Sequence, residues 1–227
     1  RVYCADSYFG MLQDSYDHSR IHFTFTDIGV SRIPADRQDK ALAANNKSLK
    51  YLTSPLKTNA TNRALLMADN GDLNSHMLQT DNNADTIKAM APYMTITKAY
   101  KNLYPLAADG NDCKYLRQAI SKALSDGQYF MCYTGHGAPE SFSRGNLWSK
   151  THVSSTNYEV MPIAFLATCD ALSFDRGDDG IAETMLFKEN GGAIAIVGAS
   201  RTVYKDYNQL FSLSFTHSLF SQMSVGD

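Results

Sequence analysis

The chain has 227 residues, 44% hydrophobic and 19% charged, which is enough for one substantial core and too apolar for an acidic disordered tail or a low-complexity polymer. Its 21 basic and 23 acidic residues give a formal charge of −2, so there is no basic excess to neutralise a phosphate backbone, and nucleic acid is not an expected partner. No apolar run approaches the roughly 20 residues that cross a bilayer, and the opening Arg1-Val2-Tyr3-Cys4 in place of an initiator Met and signal peptide leads us to expect a piece of a longer protein.

In chain order, short β-branched or apolar runs predict strands over 27–33, 63–68, 94–100, 128–133, 162–167 and 193–198. Helix-length segments lie between most of them. Residues 36–52 carry Ala41, Ala44, Leu49 and Leu52 at near-helical spacing, 75–90 begin at a Ser suited to capping, and 112–124 repeat the pattern. Residues 181–188 and 204–220 read as helices too. No fixed-period repeat and no Pro/Gly/Ser linker divides the chain, so one domain over 1–227 is expected. Strand and helix in alternation predict an α/β fold with a mostly parallel central sheet and helices on both faces.

In such sheets ligands sit beyond the carboxyl ends of the strands, and the polar punctuation falls there. Asp69-Asn70-Gly71-Asp72 follows Leu65-Leu66-Met67, Gly135-His136-Gly137 follows Phe130-Met131-Cys132-Tyr133, and Cys169-Asp170 follows Ile163-Ala164-Phe165-Leu166. A carboxylate, an imidazole and a thiol are thus expected on one rim. An imidazole can hold a thiol as thiolate and later protonate a leaving amine, so His136 and Cys169 suit nucleophilic catalysis. The amides of Gly137 and Cys169 suit an oxyanion site. The alternative for Cys169 is a small buried residue at a strand end. The cysteines at 4, 113, 132 and 169 form no CxxC pair, and no HExxH occurs, so neither a zinc site nor a disulfide framework is signalled. Cys132, in an alternating strand, reads as core, and His152 as a hydrogen-bonded loop residue or an alternative base.

Tyr133-Thr134-Gly135-His136-Gly137, Thr151-His152-Val153 and the strand ending Ala167-Thr168-Cys169 together resemble the catalytic core of the gingipain family of cysteine peptidases. Asp27 to Pro34 and Gly191 to Ser200 are similar to the flanking elements of that family, so the likeness runs through nearly the whole chain. The resemblance implies a caspase-like α/β fold and a His136/Cys169 dyad working through a thioester. It further implies an exported protein of the bacterial outer membrane and cell surface, acting on peptide or protein substrates. Residues 68–81 and 169–175 look closest to the family's type IX secretion sortases, which implies a lipopolysaccharide amine as acceptor and outer-membrane secretion proteins as partners. The family would continue beyond Ser224-Val225-Gly226-Asp227, so a fragment truncated at both ends is expected.

The family's third catalytic acid is matched here by Gly71, which leaves Asp72 as the nearest substitute for orienting His136. A solvated Asn-Gly-Asp turn is the alternative. Asp81, five positions beyond His76, stands where arginine-specific gingipains place a substrate-binding carboxylate; an exposed helix acid is the other reading. Phe142 and Trp148 are candidates for a substrate-cleft wall or for core packing. Gingipains bind calcium, and Asp175, Asp178 and Asp179 crowd oxygen ligands into one loop, so calcium is a candidate ion although no cofactor is required. The rival to a peptidase is a non-catalytic surface binding or assembly module on the same fold.

Overall fold

The computed structural model describes residues 6–13, 26–54, 61–107, 112–143 and 147–221; Cys4 and Ser224 to Asp227 lie outside them. Strands β1 (Arg63–Ala68), β2 (Thr95–Tyr100), β3 (Phe130–Thr134), β7 (Ile163–Ala167) and β8 (Ala195–Gly198) form a parallel sheet in the order β2-β1-β3-β7-β8. Between β3 and β7 lie two-residue strands β4 (Gly137–Ala138), β5 (Ser141–Phe142) and β6 (Trp148–Ser149), which make a small antiparallel sheet. The helices are α1 (Gln38–Thr53), α2 (Ser75–Met90), α3 (Lys114–Ser125), α4 (Lys150–Ser155), α5 (Ile181–Phe187) and α6 (Lys205–Phe220).

The central strands are apolar on both faces because helices cover both. Leu65, Met67, Met131, Tyr133, Ala164 and Leu166 point into one core with α3, α4 and α5. Their neighbours Ala64, Leu66, Ala68, Phe130, Cys132, Phe165 and Ala167 point into the other, beneath α2 and α6. The period of two along each strand therefore splits one sheet between two hydrophobic layers.

Register then places the site. Ala68 lies opposite Thr134, and Thr134 opposite Ala167, so β1, β3 and β7 end at one level. The chain leaves β1 for β2 on one side and returns to β3 on the other, which makes the β1/β3 boundary the switch point where the following loops diverge.

Five of the six expected strands form. Residues 27–33 do not, because no neighbour offers them a buried face: Ile28 and Ile33 are 50% and 56% exposed, and the segment runs beside residues 6–13, with Asp27 N–H donating to Gly10 O at 2.8 Å. Helix α1 turns the opposite way from its leucine spacing. It buries Lys40, Ala44 and Lys47 and exposes Leu49 and Leu52, because the lysines have partners: Lys40 Nζ is 2.6 Å from Asp179 and Lys47 Nζ donates to the Met185 and Leu186 carbonyls that end α5.

Candidate active site

The loops after β1, β3 and β7 open onto a cleft of about 230 Å³ whose lining includes Asp72, His76, His136, Thr168 and Cys169, with α2 and α6 as walls. Among the described cysteines, Cys113 and Cys132 are fully buried and Cys169 alone is partly exposed. Burial pushes the Cys132 thiol up to about 11, which keeps it protonated and inert. Cys169 Sγ instead meets the backbone of Val203, accepting from its N–H at 3.5 Å and donating to its carbonyl at 3.7 Å.

His136 is held from several directions. Its carbonyl accepts from the Tyr133 hydroxyl at 2.6 Å and from Ser143 N–H at 2.7 Å, while Gly71 packs so closely that an added Cβ would stand 2.9 Å from the imidazole Cδ2. Asp72 Oδ1 lies 3.5 Å from His136 Nε2. The other acid of that loop, Asp69, is buried and faces Lys101 at 3.5 Å, so Asp72 is the carboxylate that meets the imidazole. Asp72, Leu73 and Asn74 occupy consecutive left-handed conformations, φ 51°, 56° and 64°, each costing on the order of 1–3 kcal/mol. That strained turn puts the carboxylate over the rings.

Gly137 and Cys169 meet as well. A Cβ on Gly137 would fall 2.2 Å from Thr168 Oγ1 and 3.0 Å from Cys169 O, so only a glycine lets β4 lie against the segment bearing the thiol. The Cys169 N–H has no backbone acceptor among the described residues and is free to donate to an oxyanion.

The remaining expected residues are placed elsewhere. Asp81 is taken up by Lys98 Nζ at 2.6 Å and Tyr100 OH at 2.8 Å and does not line the cleft. Phe142 and Trp148 are core, not cleft wall: Phe142 is 0% exposed and stacks on Tyr133 at 4.3 Å, and Trp148, 3% exposed, stacks on His152. His152 is itself structural, its Nδ1 accepting from Ser149 N–H at 3.1 Å. Asp175 and Asp179 are paired with Arg201 and Lys40, so with Asp178 they form no common donor set. Among the described residues the group within ligand distance is Asp72, His76 and His136.

Sequence reasoning missed the walls. The inward stripe of α2 is polar for its first turns, His76, Gln79, Thr80 and Asn83, before Ala84 and Ile87. An inward stripe of that kind faces something other than a core. Asn83 Nδ2 donates to Ser212 Oγ of α6 at 2.8 Å, and Thr216 Oγ1 to Asn83 Oδ1 at 3.2 Å, which ties the two walls together at the cleft floor. Buried side-chain atoms without a partner gather here too: both His76 nitrogens, Thr134 Oγ1 and Thr168 Oγ1.

The chain matches the sequence profile of peptidase family C25 over residues 2–227. Its fold is similar to that of the Arg-specific cysteine proteinase gingipain R (RgpB), TM-score 0.74 at 17% identity, covering 96% of this chain and 49% of that one. It is equally similar to the complex of the pro- and mature domains of Porphyromonas gingivalis RgpB, TM-score 0.72 at 16% identity, covering 97% and 50%. A third structure, described as a protease, has TM-score 0.62 at 19% identity and covers 92% and 43%. The chain thus spans about half the length of these structures, and no curated protein matches its sequence. The parallel five-stranded sheet with helices around it is the gingipain, caspase-like α/β fold, and with a family match over nearly all of its length this chain belongs to peptidase family C25, the gingipain-type cysteine peptidases.

Proposed function

We propose that this chain carries the catalytic centre of a cysteine endopeptidase and transpeptidase in which Cys169 is the nucleophile and His136 the acid and base. The supporting observation is that adjacent strands β3 and β7, ending in register, deliver the imidazole and the one partly exposed described thiol to the same cleft. The Cys169 thiolate attacks the scissile carbonyl, and the amides of Cys169 and Gly137 take up the developing oxyanion. The C–N bond then breaks, the amine departs with the proton held by His136, and a thioester remains. Asp72 orients His136 and stabilises its cationic form.

The finer reading is a PorU-like sortase of the type IX secretion system, exported to the outer membrane and cell surface, where outer-membrane secretion proteins would be its partners. It would remove C-terminal sorting signals and pass the thioester to a lipopolysaccharide amine. What supports it is the sequence of residues 68–81 and 169–175; no helix among the described residues is long and apolar enough to cross a membrane. Water outcompetes an amine unless the site binds and orients the acceptor.

Three measurements on the intact protein test both levels. Cys169→Ala must abolish peptide cleavage, and Cys169 must react with iodoacetamide in the folded protein; a thiol that reacts only on unfolding leaves a non-catalytic binding module. Mass spectrometry of the released carboxyl terminus in a concentrated amine must show amide product. Free acid alone, still dependent on Cys169, leaves a plain endopeptidase.

A further inference from the structure

His76 is not needed by the dyad, yet only 6% of its surface is accessible and neither ring nitrogen makes a hydrogen bond, Nε2 having only a longer contact with Asp72. Its ring meets His136 edge-on at 5.2 Å. Its Nε2 lies 3.5 Å from Asp72 Oδ2, the same distance that separates His136 Nε2 from Asp72 Oδ1.

We propose that Asp72, His76 and His136 form a binding site for a divalent transition-metal ion, of which Zn²⁺ suits the donors best, and that the ion switches the dyad off. Two imidazoles and a carboxylate are a borderline donor set favoured by zinc. In a tetrahedral site with bonds of about 2.0–2.1 Å, neighbouring donors stand roughly 3.3 Å apart. The two 3.5 Å contacts are made by different Asp72 oxygens, and with one ligand atom taken from each residue the three lie within 4.8 Å of one another, so a small rotation of the carboxylate and rings closes them on an ion.

The switch follows from the imidazole's own valences. A neutral histidine bound to metal through one nitrogen carries its proton on the other, so neither can accept the proton of Cys169. The base is thereby withdrawn without any contact to the thiol. The inhibitory half of the inference rests on the peptidase reading, whereas the binding half does not.

The test separates the halves. In Cys169→Ala protein, which has no thiolate in the cleft, calorimetric titration with ZnSO4 is expected to show one equivalent bound, and adding His76→Gln to weaken it at least tenfold. X-ray absorption at the zinc edge should count two imidazole nitrogens, a readout that stands even if the His76 variant fails to fold. With intact Cys169, Zn²⁺ should inhibit peptide cleavage, and His76→Gln should raise the half-inhibiting concentration at least tenfold. No binding in Cys169→Ala protein, fewer than two imidazoles at the edge, or a folded His76→Gln variant with unchanged affinity would overturn the site. Two-imidazole binding in a protein that cleaves nothing would uphold the site and refute the peptidase.

Discussion

Gly137→Ala tests whether the thiol-bearing segment is held by the close approach of β4. The new Cβ would stand 2.2 Å from Thr168 Oγ1, about 1.2 Å inside ordinary contact, and 3.0 Å from both Thr168 Cγ2 and the Cys169 carbonyl oxygen. Thr168 is 1% exposed, so it cannot swing clear, and rotating it only brings the methyl group toward the intruder. Gly137 lies outside the left-handed region, so the substitution adds a methyl group without a backbone penalty. Overpacking of this size costs about 1–3 kcal/mol, a fall of roughly 2–10 °C in Tm for a chain of this length. If the strain moves the Cys169 backbone by up to 1 Å, kcat/KM falls by as much as about 100-fold. Adding Thr168→Ala removes the Oγ1 and Cγ2 contacts, leaving only the Cys169 carbonyl at 3.0 Å, and it discards a hydroxyl that has no partner, so the double variant should recover most of the lost Tm and alkylation rate. Circular-dichroism melts and the rate of Cys169 alkylation by iodoacetamide, measured on all four proteins, complete the cycle. A Gly137→Ala protein with native Tm and native alkylation rate, or a Thr168→Ala background that rescues nothing, would refute the packing argument.

Asp72→Asn should slow peptide cleavage by roughly 10–100-fold while leaving acylation of Cys169 detectable; the loss is smaller than the roughly 10⁴-fold of a directly bonded buried acid, because Asp72 is 45% exposed and 3.5 Å from the imidazole. Asp81→Asn should leave the P1 profile in a positional peptide library unchanged and cost less than about 1 kcal/mol in urea unfolding, since its partly exposed pairing is with Lys98. Lys47 titrates at about 7 in the fold because of burial, against 10.5 for an ordinary lysine. Between those values the unfolded chain holds the extra proton, so stability should rise with pH relative to Lys47→Met, by at most about 1.4 kcal/mol per pH unit. Parallel urea midpoints for the two proteins at pH 7 and pH 9.5 would expose a wrong sign.

The strands that place the chemistry were legible because two-sided burial writes them as continuous apolar runs, and because Asp69-Asn70-Gly71 after β1 and Gly135-His136-Gly137 after β3 break those runs with turn residues. The placement of Asp72, His136 and Cys169 on one rim was readable for that reason. Residues 137–149 were not, since two-residue strands are shorter than any period can register. The leucines of α1 misled because outward leucines carry the same spacing as inward ones, and only the partners of Lys40 and Lys47 decide between them. Phe142 and Trp148 follow His136 closely in sequence, but the β4-β5-β6 turns fold them back against Tyr133 and His152, a reversal that spacing does not encode. Asp72 and His76 stand at i and i+4 across the start of α2; that spacing was the available signal for the second imidazole.

The tie between Asn83, Ser212 and Thr216 joins helices that carry none of the three groups assigned to bond making. Under the proposed function, the helices that wall the cleft are therefore separate from the loops that carry the reacting groups. Substitutions along the facing sides of α2 and α6 can reshape what the cleft admits while the strand-end loops keep their spacing. The same tie sets the limit on that freedom, since a change at Asn83 alone would strand two buried hydroxyls on the opposite helix. New selectivity in this scaffold should therefore arise through paired changes on the two helices.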